Sequence, residues 1–237
     1  MEHILNFDAA NLSNLFLVSI ILPVFIFFYI ISCLSTFFVF KTLNIKSYLA
    51  FIPIYSTYRN LKEYKGRVYK SNWGKLYLIA IVLLLISILL FTIGGLSINF
   101  GIIIIGAVLV FVSSIMFIVI SFVRDFPIMY KHSLKLAYVI LFILSFFNSM
   151  IVNIFNNINT MPPISVGDEF TLYSNIFFSV IGSLIMPIYI IVVSYIMYRK
   201  VRYNTAEVVE KIELEKLENY EVEKLLYLRE KSLIRKK

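Results

Sequence analysis

LYLIAIVLLLISILLFTI-GGLSINFG-IIIIGAVLVFVSSIMFIVISFV, residues Leu76 to Val123, is the stretch on which the reading of this chain turns. No Asp, Glu, Lys, Arg or His interrupts it. Crossing the hydrocarbon of a bilayer at 1.5 Å per helical residue takes about 20 apolar residues. The two runs, Leu76–Ile93 and Ile102–Val123, each come close to that length, and they are apolar on every side. The segment between them, Gly94 to Gly101, is uncharged and glycine-rich, so it predicts a tight turn and an antiparallel hairpin of two membrane helices.

Working outward, three more stretches meet the same demand without an internal charge: Leu12–Phe40, Leu136–Phe155 and Leu172–Tyr198. Composition agrees. The chain is 60% hydrophobic and 15% charged, where a soluble domain has roughly 45–50% and about 25%, and lipid is the solvent that absorbs such a surplus. The first eleven residues carry Glu2, His3 and Asp8 but no Lys or Arg, and the run that follows is too long for a signal-peptide core. It is therefore expected to be a retained helix. Pro162 and Pro163 stop the fourth helix before a polar loop that holds Asp168 and Glu169.

Charge then orients the bundle. Of the 22 Lys and Arg, eight lie in 41–75, three in 124–135 and eleven from Arg199 onward. The N-terminal segment, the glycine turn and the Asn/Pro loop hold none. With five spans these two groups of loops alternate sides without exception, and basic loops stay in the cytoplasm. The expected fold is an all-α integral membrane protein of five transmembrane helices, N-terminus outside and C-terminus cytoplasmic, in the cell membrane. The net charge of +8 follows from this distribution, so it carries no nucleic-acid reading.

The first basic loop, 41–75, is where a binding function is expected. Tyr48, Phe51, Pro53, Tyr55, Tyr58 and Trp73 interleave with Arg59, Lys62, Lys65, Arg67 and Lys70. Aromatic rings beside cations suit the headgroup region. The apolar centre, Tyr48–Tyr58, is too short to span, and Pro53 breaks any helix through it, which predicts a helix–turn or shallow re-entrant element. Two readings follow: an interfacial anchor on anionic lipid, or a docking surface for a cytoplasmic protein. The order of a first helix, an Ile-Pro-Ile-Tyr-x-x-Tyr element (Ile52 to Tyr58), Lys65-Gly66 and Trp73 resembles an uncharacterised family of small bacterial polytopic membrane proteins over about Phe37–Trp73. Asn44, Tyr48 and Ser56 stand where that family tends to have Gly, Trp and Asn. The resemblance implies a bacterial membrane location and no activity.

The tail, 199–237, reads as a charged cytoplasmic helix. Asn204 with Glu207 has capping-box spacing, and Glu207 to Lys211 is a favourable i,i+4 pair. At membrane depth only weakly polar groups remain. Ser145, Asn148 and Ser149 share one face of the fourth helix, where they would bond a neighbouring helix or line a polar path. Cys33 has no partner for a disulfide and no neighbouring His, and neither a phosphate loop nor zinc spacing occurs. No cofactor, metal or catalytic set is expected. The leading functional expectation is a non-enzymatic accessory or partner-binding component of a transport, secretion or immunity system. The alternative is a transporter or channel for a neutral or hydrophobic solute.

A reporter active only outside the cell should be active when fused after Ser97 or Ile164, and silent after Lys65, His132 or Lys237. Activity at the Lys65 fusion would reverse the orientation.

Overall fold

The computed structural model describes residues 26–27, 29–158, 168–213 and 231–236. Its helices, in chain order, are α1 (Tyr29–Thr42), α2 (Tyr55–Tyr64), α3 (Trp73–Ser97), α4 (Phe100–Asp125), α5 (His132–Ile158) and α6 (Asp168–Arg202). Short 3-10 turns occupy Ser47–Phe51 and Phe126–Ile128, and two strands, β1 (Ala206–Val208) and β2 (Ile234–Lys236), pair antiparallel.

Three helical stretches, Trp73–Ser97, Phe100–Ile128 and Leu184–Arg202, are long and apolar enough to cross a membrane. The first two bury only 11% of their most apolar window. Side chains such as Leu85, Leu89, Ile104 and Phe111 point outward, a surface that would drive aggregation in water and is solvated by lipid. The chain has the build of a membrane protein. Within the described residues, Tyr29–Thr42 and His132–Ser145 are apolar but shorter. Most of the expected first span and most of the Asn/Pro loop lie outside the described residues.

The chain reverses inside the expected segment, Gly94 to Gly101, though not at Gly94 and Gly95 themselves. Helix α3 runs through both glycines to Ser97, and the chain reverses at Ile98 and Asn99. Ile98 takes the left-handed conformation (φ 52°), and the Asn99 amide donates to the Gly94 carbonyl at 3.0 Å. The Asn99 side chain then accepts from the amides of Gly101 and Ile102, starting α4. An Asn cap does here what the glycines were expected to do.

Gly94 serves packing instead. Ala80, Ser87 and Gly94 on α3, and Gly106, Ser113 and Ile120 on α4, recur every seven residues and are all buried. That spacing keeps small residues on one helix face, where backbones approach closely in the absence of a hydrophobic drive between helices. Both seam serines turn their hydroxyls back onto their own helix, Ser87 to Leu84 at 2.7 Å and Ser113 to Val110 at 2.9 Å, so no polar group is stranded.

The buried core lies at one end of the bundle. Val39 and Leu43 from the end of α1, Leu61 and Tyr64 from α2, and Tyr77 and Ala80 from the start of α3 pack together. The end of α4, the start of α5, the end of α6 and both strands complete it with Val123, Tyr138, Val193, Met197, Ala206 and Leu233. This is the end that carries the Lys and Arg.

A Cβ on Gly94 would sit 2.8 Å from Ile103 Cγ1 and 3.1 Å from the Ile103 amide nitrogen. Gly94→Ala gains up to about 1 kcal/mol in helix propensity but overpacks the seam at a cost of about 1–3 kcal/mol. Thermal unfolding in detergent should therefore show a net loss of stability. A gain would mean that α3 and α4 do not meet at this residue.

Candidate functional site

At the basic end, the loop expected to bind folds as a 3-10 turn, a tight reversal and the helix α2. Ile45 and Asn44 close α1: Asn44 has φ 55°, and the Ile45 amide reaches back to the Phe40 carbonyl at 2.8 Å. The 3-10 turn Ser47–Phe51 then climbs beside α1. Tyr29 donates its hydroxyl to the Phe51 carbonyl at 2.5 Å, and the Phe37 and Phe51 rings lie 6.1 Å apart. Phe37 and Tyr29 stand about 8 Å and about 20 Å above Thr42 along the helix, so the tip of the loop sits between those levels.

The reversal at the tip is strained. Ile54 has φ 59° and ψ −55°, and the Tyr55 amide bonds to the Pro53 carbonyl across it. This is a γ-turn of the rarer hand, which a β-branched residue adopts only when its surroundings force it. Helix α2 forces it from behind. It returns to the basic end against α3, where Gly74 leaves room for the Tyr58 ring and carbonyl. Tyr48, Phe51, Ile52, Pro53, Ile54 and Tyr55 are all exposed at the tip, an apolar cap on a polar hairpin.

Not every expected contact residue faces outward. Lys62 and Lys70 are exposed, while Tyr58, Arg59, Lys65, Arg67 and Trp73 are half-buried. Trp73 opens α3 with its ring edge on Tyr69. Glu63, the lone carboxylate of the loop, gathers Arg59 at 3.0 Å, Lys211 at 3.6 Å and Arg67 at 3.9 Å. Arg67 also donates to the Val209 carbonyl at 2.6 Å. Arg59 and Arg67 therefore hold the fold together rather than offering free charge.

The tail is where the sequence reading is overturned. Asn204 does not cap a new helix; it ends α6. It has φ 56°, its amide bonds to Val201 and that of Thr205 to Lys200, the Schellman pattern of a helix C-terminus. Residues Ala206–Val208 that follow are β1, paired with β2 in the register Ala206 to Lys236, Glu207 to Arg235 and Val208 to Ile234. Glu207 forms its ion pair with Arg235 across the ribbon, and Lys211 goes to Glu63, so the expected Glu207–Lys211 helical pair does not form. Residues 214–230 of the expected tail helix lie outside the described residues.

The ribbon is stitched to both basic loops. The Leu233 amide donates to the Pro127 carbonyl at 3.0 Å, and the Ile212 amide to the Gly66 carbonyl at 2.9 Å. Gly66 is needed twice over: its φ is 80°, and a Cβ there would lie 2.5 Å from the Ile212 carbonyl oxygen.

Under this face lies a buried ion pair that the sequence reading passed over. Arg124 grips its neighbour Asp125 through Nε at 2.7 Å and Nη2 at 2.9 Å, and the carboxylate is only 5% exposed. Burial, and after it the negative charge of Asp125, push the hydroxyls of Tyr64 and Tyr69 above the ordinary tyrosine value, so both stay neutral. Tyr69 donates to the Val123 carbonyl at 3.0 Å. Asn60 Oδ1 and the hydroxyls of Tyr64 and Tyr138 are buried with no hydrogen-bond partner among the described residues. The adjacency of Arg124 and Asp125 at the end of an apolar run was the available signal. For the polar face expected in the fourth helix, Ser145 is half-buried in α5, and the side chains of Asn148 and Ser149 lie outside the described residues.

No family model, curated protein or solved structure matches this chain.

Gly66→Ala should detach the ribbon from the first loop. Hydrogen exchange at the Ile212 amide should then speed up about tenfold or more, with exchange along α3 and α4 unchanged. Unchanged protection at Ile212 would show that the tail is held elsewhere.

Proposed function

We propose that this chain is a non-enzymatic, multi-pass protein of the cell membrane with five spans, its basic end in the cytoplasm. It acts as an accessory, partner-binding component of a transport, secretion or immunity system. The observation that supports this reading is that three segments far apart in sequence are drawn into one folded face by Glu63 and the β1–β2 ribbon. Each ordered residue of the tail costs about 1–2 kcal/mol of backbone entropy, offset by burial of Ala206, Leu233 and Ile234 in the core. A pre-ordered face lowers the cost of binding. With Arg59 and Arg67 committed to Glu63, Lys62 and Lys70 are among the exposed cations left to meet an acidic partner, in the loop that carries the apolar tip at Phe51–Tyr55.

Photo-crosslinking residues placed at Lys62 and Lys70 in the living cell should capture a discrete protein, while one at the outward-facing Leu89 should not. Lys62→Gln with Lys70→Gln should abolish the capture, with the protein still inserted at its normal level. Crosslinks to lipid alone at both positions would reject the partner role and leave the loop an interfacial anchor.

A further inference from the structure

A second basic feature stands apart from the first loop, at the C-terminal end of α6. Tyr195, Ile196, Arg199, Lys200, Tyr203 and Thr205 line a surface groove of about 270 Å³. The Arg199 guanidinium lies over the Tyr203 ring at 5.4 Å and the Tyr195 ring at 6.0 Å, held between aromatic rings one turn before and one turn after it. Lys200 sits over Tyr130 at 4.8 Å, and Lys41, at the end of α1, lies over Phe37 and Tyr198. Among the described residues none of these three cations has a carboxylate within ion-pair distance.

The negative end of a helix dipole would ordinarily repel an anion here. The C-terminal cap blunts it: the Lys200 carbonyl accepts from both the amide and the hydroxyl of Thr205, each at 3.0 Å, and the Arg199 carbonyl from the Tyr203 amide at 2.9 Å. Those carbonyls are taken up in the cap, and Arg199 and Lys200 bring positive charge to this helix end. Above it, Ile188, Val192, Tyr195 and Ile196 recur at helical spacing and are all exposed, an apolar stripe running from the groove toward the middle of the bilayer.

Cations beside an apolar stripe on the end of a membrane helix fit one ligand chemistry. We infer that this groove binds the headgroup of an anionic phospholipid, Arg199 and Lys200 meeting its phosphate while an acyl chain follows Ile196, Val192 and Ile188. Arg suits phosphate because its planar fork can donate two parallel hydrogen bonds. The apolar stripe is what a free phosphate ion would not use. The inference rests on the membrane reading of α6 and not on the partner role of the first loop.

The purified full chain in detergent is titrated with phosphatidylglycerol, phosphatidylcholine and inorganic phosphate, with bound lipid counted by native mass spectrometry. One phosphatidylglycerol per chain should be retained in preference to phosphatidylcholine, and excess inorganic phosphate should not displace it. Arg199→Gln with Lys200→Gln should weaken retention about thirtyfold, the combined effect of two interfacial cations. Arg199→Lys with Lys200→Arg, which keeps the charge and guards against a folding defect, should retain most of it. Equal retention of both lipids, displacement by inorganic phosphate, or indifference to the double Gln change would overturn the inference. None of these outcomes bears on the crosslinks at Lys62 and Lys70, so the two readings fail separately.

Discussion

The basic end of this protein is organised around one carboxylate. Glu63 is the only acid in a loop with eight cations, and it is nearly buried, its side chain 12% exposed. A carboxylate in that position is tolerable only if its charge is matched, and Arg59, Arg67 and Lys211 match it. Each of those contacts has a structural consequence. Arg59 keeps the turns of α2 in register, Arg67 anchors the Gly66 turn and reaches the Val209 carbonyl, and Lys211 brings the tail alongside. Without Glu63 the same cations would repel one another where the first loop meets the tail.

This arrangement explains why packing is so uneven along the bundle. Toward the middle of the membrane, α3 and α4 touch along a narrow seam of Ala80, Ser87 and Gly94 against Gly106, Ser113 and Ile120, and otherwise face outward. At the basic end, aromatic and aliphatic side chains from every helix and both strands pack into one core. That dense end can hold Ile54 in a backbone conformation costing on the order of 1–3 kcal/mol, because Leu61 and Tyr64, both fully buried, fix the helix that follows it.

Some of this was legible in the residues and some was not, for identifiable reasons. The hairpin and the segment that holds its turn were plain from two uncharged apolar runs, but the role of the glycines was not. Glycine reads as a breaker in water, whereas Gly94 and Gly106 serve as the close-contact residues of a membrane seam. Asn204 looked like the start of a helix because Asn suits an N-cap. It also suits the left-handed C-terminal position, which it takes here, as Asn44 does at the end of α1. The turn at the tip followed from Pro53 within a stretch too short to span. Which of its neighbouring cations would be free did not, since Arg67 and Lys70 differ only in what folds against them.

The sequence by itself determined that this chain belongs in a membrane and that its positive charge collects at one end of the helices. Hydrophobicity and charge add up residue by residue, and their sums need no knowledge of neighbours. Only the tertiary structure decided that Ala206–Val208 and Ile234–Lys236 of the charged tail pair as a docked ribbon and that Arg67 is a strut. It also decided that Arg199 and Lys200 flank an open groove. Those outcomes rest on contacts such as the one between Arg67 and Val209, 142 residues apart, and no local pattern encodes a partner at that distance.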